Sequence, residues 1–169
     1  NVGQTGSAVH FEVRDLGGRV FFTSGEAVLV LPAAGGESSV ARMHFVGANP
    51  AANVVGVDRM PGIVNYFIGN DSAQWRTNIP TYAGIVYEQL YPGIDLRYDG
   101  TEGRLKGSYV VAPGGNPDLI RWRHNGATDV RVDPSTGNHG KSARIIIATV
   151  VRADSYRSQT PPVALLENL

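Results

Sequence analysis

Short strand-like segments separated by turn residues run along most of this chain, and this pattern constrains its fold more than any other feature. In residues 8–14, for example, Val9, Phe11 and Val13 alternate with polar residues. Such alternation places one set of side chains on the buried face of a strand and the other set in solvent. Gly, Pro, Asn and Asp recur between the segments and favour turns. The sequence therefore predicts an all-β protein, an antiparallel β-sandwich or a jelly-roll-like fold.

The pattern also predicts where the strands and turns lie. At most one short helical turn is expected, near Asp71 to Trp75, where Asn70 or Asp71 would cap the exposed amides. A tight turn is expected at Pro61-Gly62, between two short strands. The predicted strands are residues 8–14, 19–24, 27–31, 40–46, 53–57, 63–68, 84–87, 94–98, 104–111, 120–124, 129–132 and 143–151.

A chain of 169 residues has the size of one domain. We expect residues 1–157 to form a single β-sandwich domain and residues 158–169 to form a proline-containing tail or linker. The tail carries the apolar residues Val163, Leu165 and Leu166, which would pack on a neighbouring molecule and add a strand to an open sheet edge. Because Asn1 follows no signal-like segment, we expect a processed or excised piece of a longer protein.

The charge and the amino-acid content exclude several classes of function. Fifteen basic and fifteen acidic residues leave no formal net charge, and so no broad field to attract nucleic acid. The absence of cysteine excludes disulfides, thiolate nucleophiles and cysteine-ligated zinc. No apolar run reaches the ~18 residues of a membrane-spanning helix. We therefore expect neither nucleic-acid binding nor membrane insertion. The expected partners are other protein domains, copies of this chain or surface glycans.

Four aromatic residues, Trp75, Tyr82, Tyr87 and Tyr91, are the candidate ligand-binding residues. Aromatic faces suit the apolar faces of sugar rings, so this set predicts a platform for a glycan or a protein partner. In the alternative interpretation, Trp75 and Tyr82 cover the edge of the β core. The sequence favours this structural interpretation, but by a smaller margin than for any other candidate site.

Acidic residues offer a second kind of site. Asp95 with Asp99, Asp71 or Glu102 would supply the paired carboxylates of a glycosidase-like enzyme. Asp95, however, alternates with apolar neighbours as in an ordinary half-exposed strand, so a structural role is favoured. The turns at Asn70-Asp71 and Asp99 offer oxygen ligands for a structural calcium ion, but neither has EF-hand spacing. We predict no catalytic residue and no cofactor here.

The histidine and serine residues give no further site. No Gly-x-Ser-x-Gly elbow is present, and no two histidines have the helical spacing of a zinc protease. We therefore predict no metal site and no serine nucleophile with a base partner. The residues concerned are His10, His44, His124, His139, Ser24, Ser108 and Ser142.

Several motifs resemble those of a known family. The family is an uncharacterised all-β domain found near the N-terminus of bacterial cell-surface proteins, often ahead of SBBP-type (β-propeller) repeats. The resemblance implies export, a surface-attached multidomain parent and no established enzymatic activity. The motifs are Asn1-Val2-Gly3-Gln4, Val64 to Asn70, Trp75 to Tyr82, Leu90 to Leu96 and Val110 to Gly114.

One segment departs from the family pattern. Where the family tends to read Leu-Glu-Tyr-Asp-Phe, this chain has Leu105-Lys106-Gly107-Ser108-Tyr109, so two acidic positions are absent. A function that depended on those carboxylates is not expected here.

Together these observations predict a non-catalytic, extracellular structural or interaction module of a bacterial surface protein, self-associating by strand addition. The alternative is a carbohydrate-binding module that uses Trp75 and nearby tyrosines. A glycosidase-like enzyme that uses Asp95 is less favoured.

Overall fold

The computed structural model describes residues 3, 5–14, 18–32, 38–100 and 105–126 with their side chains. It also describes the backbone of residues 101, 104, 131–132, 139–140, 145–152 and 166–168. These residues form strands and two single turns of 3-10 helix. The strands are β1 (Val9–Arg14), β2 (Arg19–Thr23), β3 (Glu26–Pro32), β4 (Ser38–Phe45), β5 (Asn53–Tyr66), β6 (Arg76–Tyr91), β7 (Ile94–Thr101), β8 (Arg104–Val111), β9 (Trp122–Asn125), β10 (Arg131–Val132), β11 (His139–Gly140), β12 (Ile145–Arg152) and β13 (Leu166–Asn168).

The strands are hydrogen-bonded in one continuous order, β10-β11-β12-β8-β7-β6-β13-β1-β2-β3-β4-β9, and β5 pairs with β6 beside this path. The pairs are antiparallel except for β8 with β12, which is parallel. Aromatic contacts join the two halves of the order across a core: Phe22 lies 4.9 Å from Tyr98, and Phe45 lies 5.3 Å from Tyr87, between ring centroids. The structure thus confirms the predicted all-β fold and is consistent with an antiparallel sandwich.

The helical content exceeds the prediction by one turn. The predicted turn, Ser72–Gln74, is present, and the Asp71 carboxylate accepts a hydrogen bond from the Ala73 amide at 2.9 Å. A second turn, Pro117–Leu119, follows Asn116, whose side-chain oxygen accepts from the Asp118 amide at 3.0 Å. Asn116 caps this turn, and Pro117 fixes the φ angle of its first residue. These two residue types are typical of loops, but the same properties also stabilise a single helical turn.

The predicted tight turn at Pro61-Gly62 is wrong, because β5 runs through it as one strand of 14 residues. The pairing with β6 slips between Arg59 and Ile63, which accommodates the extra residues as a bulge. Gly62 accepts a hydrogen bond from the Thr81 hydroxyl at 2.8 Å. Proline is tolerated at this place because β5 pairs with β6 alone among the described strands, and an edge strand loses no second hydrogen bond.

The core is rich in tyrosine. Burial raises the pKa of each of four phenols above its usual value, and neighbouring tyrosines add to the effect for all but one of them. These residues are Tyr87, Tyr91, Tyr98 and Tyr109.

No helix among the described residues has the length and apolar character needed to cross a membrane.

Candidate functional site

The structure does not bring the four predicted ligand-binding aromatics together. Tyr87 and Tyr91 are 0% and 1% exposed. Their hydroxyls donate to the backbone carbonyls of Thr23 and Arg121, at 2.8 and 3.1 Å. A ligand at the surface cannot reach these two rings, so their assignment to a binding platform is corrected: they belong to the core.

Tyr82 and Trp75 have different surroundings. The Tyr82 ring is half-buried and meets Phe11 edge-on, with 6.0 Å between ring centroids. Trp75 is 39% exposed. Of the four predicted residues, Trp75 therefore has the most ring surface available to a ligand.

Trp75 belongs to a cluster that we call the hairpin tip, formed by Phe67, Ile68 and Trp75 in the loop between β5 and β6. Phe67 and Ile68 are 61% and 63% exposed. The Trp75 ring stands on Phe67 at 5.1 Å with an interplanar angle of 83°, and its indole N–H donates to the Gly69 carbonyl at 3.2 Å. Grouped exposed apolar side chains mark interaction sites on soluble proteins.

The C-terminal strand lies inside the ladder. The backbone of β13 pairs antiparallel with both β1 and β6, with Leu166 opposite Val13 on one side and Tyr82 on the other. Among the strands that the structure describes, β13 alone links β1 to β6. We call this position the C-terminal slot. Its pairing partners Phe11, Val13 and Thr81 are all buried, so the slot adjoins the core.

Of the predicted self-association residues, only Leu166 lies among the described residues. Leu166 begins β13, and its backbone takes part in the pairing described above. Val163 and Leu165 lie outside the described residues. The proposed boundary after residue 157 also lies outside them, and the division into domain and tail stays a prediction.

The acidic residues considered for glycoside hydrolysis have structural contacts. Asp95 accepts a hydrogen bond from the Gln89 amide at 2.7 Å, where Gln89 has a positive φ of 50°. Asp99 and Asp58 both contact Arg97, at 2.7 and 2.6 Å. Asp71 caps the first helical turn, and Glu102 lies outside the described residues. No group of three or more His, Asp or Glu in the described part of the chain is placed to hold a metal ion.

One serine does have a histidine beside it, contrary to the sequence prediction. The Ser24 hydroxyl lies 2.9 Å from His10 Nε2. Partial burial lowers the pKa of His10. Within the described ranges no carboxylate forms an ion pair with His10, so the acidic partner that orients the base of a catalytic triad is not found there. The contact joins the ends of β1 and β2.

The outer face of β1 to β4, the side turned away from the core, carries a second arrangement of charged and apolar residues. Register places Arg14, Arg19, Val30 and Val40 in one row across the four strands. The neighbouring row is Glu12, Phe21, Val28 and Arg42. Two arginines thus stand at the β1 end, and valines follow toward β4.

Glu12 is a fully buried carboxylate on this face. Arg14 approaches Glu12 with two nitrogens, at 3.0 and 3.2 Å, and Arg19 Nε donates to the same carboxylate. The Arg14 guanidinium also lies over the Tyr66 ring at 4.8 Å, and that of Arg19 over the Phe21 ring at 4.9 Å. Both cations are therefore held in place by a buried anion and an aromatic face.

A groove of about 850 Å³ runs over these rows. We call it the outer-face groove. Apolar side chains form most of it, including Val28, Val30 and Val40, and Ile68 of the hairpin tip borders it. Arg42 lines the β4 side, where it contacts Glu26 at 2.6 Å. The groove and the hairpin tip are therefore neighbouring parts of one surface.

Comparison with known families finds one match, which covers residues 1–138 and is described as a domain of unknown function, DUF7948. The chain belongs to the DUF7948 family. The predicted resemblance to an uncharacterised domain is thereby supported, whereas the position ahead of SBBP-type repeats stays a prediction. No curated protein and no solved structure matches the chain.

In this DUF7948 domain, reasoning from the sequence missed the outer-face groove. The signal available was the outward set Arg19, Phe21 and Thr23 in β2, where an aromatic residue stands on the face assigned to solvent. That signal alone gives no site, because the groove depends on the register of four strands and on the overhanging hairpin.

Proposed function

We propose that this domain is a non-catalytic structural module of a bacterial surface protein that associates with copies of itself by exchanging its C-terminal strand. The observation that supports the proposal is the position of β13. A strand of three residues at the end of the chain lies between β1 and β6 instead of at an edge.

An identical strand from a second copy would make the same backbone hydrogen bonds in the C-terminal slot. Exchange of identical elements between copies therefore costs few contacts. The equilibrium between the monomer and the exchanged assembly then depends on the segment that connects the strand to its domain. Pro161-Pro162 precede the strand, and a residue that stands before proline favours an extended backbone, which would carry the strand toward a neighbouring copy. A chain of such exchanges would build the surface assembly by strand addition.

The test uses a variant that lacks residues 160–169, together with a synthetic peptide of that sequence. We expect the full chain to form oligomers in light scattering and electron microscopy, and the truncated variant to be monomeric. The truncated variant should bind the added peptide, whereas a peptide with Glu167→Pro should bind at least about tenfold more weakly because proline removes a ladder hydrogen bond. A full chain that stays monomeric at all concentrations, with no peptide binding by the folded truncated variant, would refute the proposal.

Carbohydrate binding at the hairpin tip is the second candidate. It is supported by the exposed Trp75 ring, which Phe67 and the Gly69 carbonyl hold in one orientation. A rigid aromatic face costs little conformational entropy when it binds a sugar. Glycan-array binding that disappears in Trp75→Ala and persists in Trp122→Phe would support this function, since Trp122 packs on Tyr109. Equal binding by the two variants would count against it.

A further inference from the structure

We propose that the outer-face groove binds an extended peptide segment in which a carboxylate side chain stands next to apolar ones on the same side. This binding site is separate from the C-terminal slot, and the inference does not depend on strand exchange.

The charges on the groove favour an anionic group. Arg14, Arg19 and Arg42 line the groove, and their side chains are 42%, 44% and 47% exposed. Glu12, which Arg14 and Arg19 both contact, is fully buried. A ligand at the β1 end of the groove therefore meets guanidinium groups and not the carboxylate beneath them. A carboxylate side chain of the ligand would pair with a guanidinium group there.

Arg19 is the residue best placed to receive that carboxylate. Its Nε donates to Glu12, and its guanidinium lies over Phe21, so the group is already oriented. Its terminal nitrogens have no partner among the described residues. Those two nitrogens present the parallel donors that bind a carboxylate in a bidentate manner.

The remainder of the groove favours apolar side chains. Val30 and Val40 follow Arg19 in the same cross-strand row, and Val28 lies beside them. Val40 and Ile68 are exposed although they border the groove. A ligand that covers both and also reaches Arg19 would remove apolar surface from water at the same time as it pairs the charge.

The dimensions favour a peptide over a small carboxylate. Strands in a sheet lie about 4.8 Å apart, so the path from β1 to β4 is about 14 Å long. An extended peptide rises about 3.4 Å per residue and would cross it with about four or five residues. Its alternate side chains point to the same side, which would place an acidic residue on Arg19 and apolar ones on the valines.

The test measures fluorescence anisotropy of a labelled peptide, Glu-Ser-Val-Ser-Val-Ser-amide, with the full chain. The matched peptide has Gln in place of Glu. We expect the Glu peptide to bind at least about fivefold more tightly than the Gln peptide, with the difference shrinking as salt is added. Arg19→Gln should abolish that difference. Lys106→Gln, which removes one exposed positive charge from β8 in the other half of the ladder, should leave it intact.

A second variant keeps the test decisive if Arg19→Gln does not fold. Val40→Glu changes an exposed residue at the groove and should weaken binding of the Glu peptide more than that of the Gln peptide. Equal affinity for the two peptides, or no binding of either by the folded chain, would overturn the proposal. If the chain forms oligomers but binds neither peptide, the groove proposal alone is refuted. If the chain stays monomeric but binds the Glu peptide more tightly than the Gln peptide, the groove proposal stands and strand exchange is contradicted.

Discussion

The buried tyrosines differ in what their hydroxyl groups contact. Tyr87 donates to the Thr23 carbonyl at 2.8 Å, and Tyr109 accepts from the Trp122 indole N–H at 2.6 Å. The Tyr98 hydroxyl is fully buried and has no hydrogen-bond partner among the described residues. A buried polar atom without a partner loses its hydration and gains nothing in return.

We therefore expect Tyr98→Phe to leave the free energy of unfolding unchanged or to raise it by up to about 1 kcal/mol. Tyr109→Phe, in contrast, should lower it by about 1–3 kcal/mol, because the hydrogen bond from the Trp122 indole N–H to the Tyr109 hydroxyl is lost. Urea unfolding of both variants checks the comparison. If Tyr98→Phe lowers the free energy of unfolding as much as Tyr109→Phe does, this explanation is contradicted.

Among the elements, the hairpin of β5 and β6 shows how one glycine sets the position of an aromatic residue. A Cβ at Gly56 would lie 2.6 Å from Cγ of Tyr82 and 2.7 Å from both of its Cδ atoms. The Tyr82 ring therefore lies directly over the Gly56 backbone, and it contacts Phe11 of β1 from there. The absence of a side chain at Gly56 thus lets the hairpin pack close to β1.

Gly56→Ala should consequently lower the free energy of unfolding by about 1–3 kcal/mol, since the ring or the strand must move to relieve the overlap. Gly25→Ala is the matched control, because nothing lies within 4 Å of a Cβ at that position. Its effect should stay within about 0.5 kcal/mol. Thermal unfolding monitored by circular dichroism gives both values, and similar losses in the two variants would refute the explanation.

The sequence predicts elements well where the pattern is local. Residues 104–111 were expected as a strand, and β8 has those bounds. The continuous β5 was not expected, because Pro61-Gly62 has the chemistry of a turn and only the edge position allows it to remain in a strand. The strand β13 could not be predicted either, because its partners are distant in sequence.

The candidate sites divide in the same way. The conspicuous Trp75 was predicted as a ligand-binding residue and does have an exposed ring. Tyr87 and Tyr91 were grouped with it by composition, whereas their burial depends on which face of β6 meets the core. Glu12 and Arg19 come together only through the pairing of β1 and β2 and their position on the outer face.

For the whole molecule, the tyrosine-rich core predicts how stability changes at alkaline pH. Burial raises the pKa of Tyr87, Tyr98 and Tyr109 in the folded state, whereas in the unfolded chain each returns to the usual value of about 10. The folded state then keeps protons that the unfolded state releases. The contribution of these protonated phenols to the free energy of unfolding is therefore complete below about pH 10 and is lost as the pH rises above that value.

We expect the free energy of unfolding to fall between about pH 9 and pH 11, by roughly 1.4 kcal/mol at pH 11 for each buried tyrosine. Urea titrations across this range measure the decline, and tyrosinate absorbance counts the phenols that ionise before unfolding. Tyr98→Phe should decline less steeply than the parent chain, because one of the protons released on unfolding is gone. Ionisation of all seven tyrosines near pH 10 in a protein that stays folded would show that the phenols are accessible to water. That result would refute the burial of these tyrosines in a core between the two halves of the strand order.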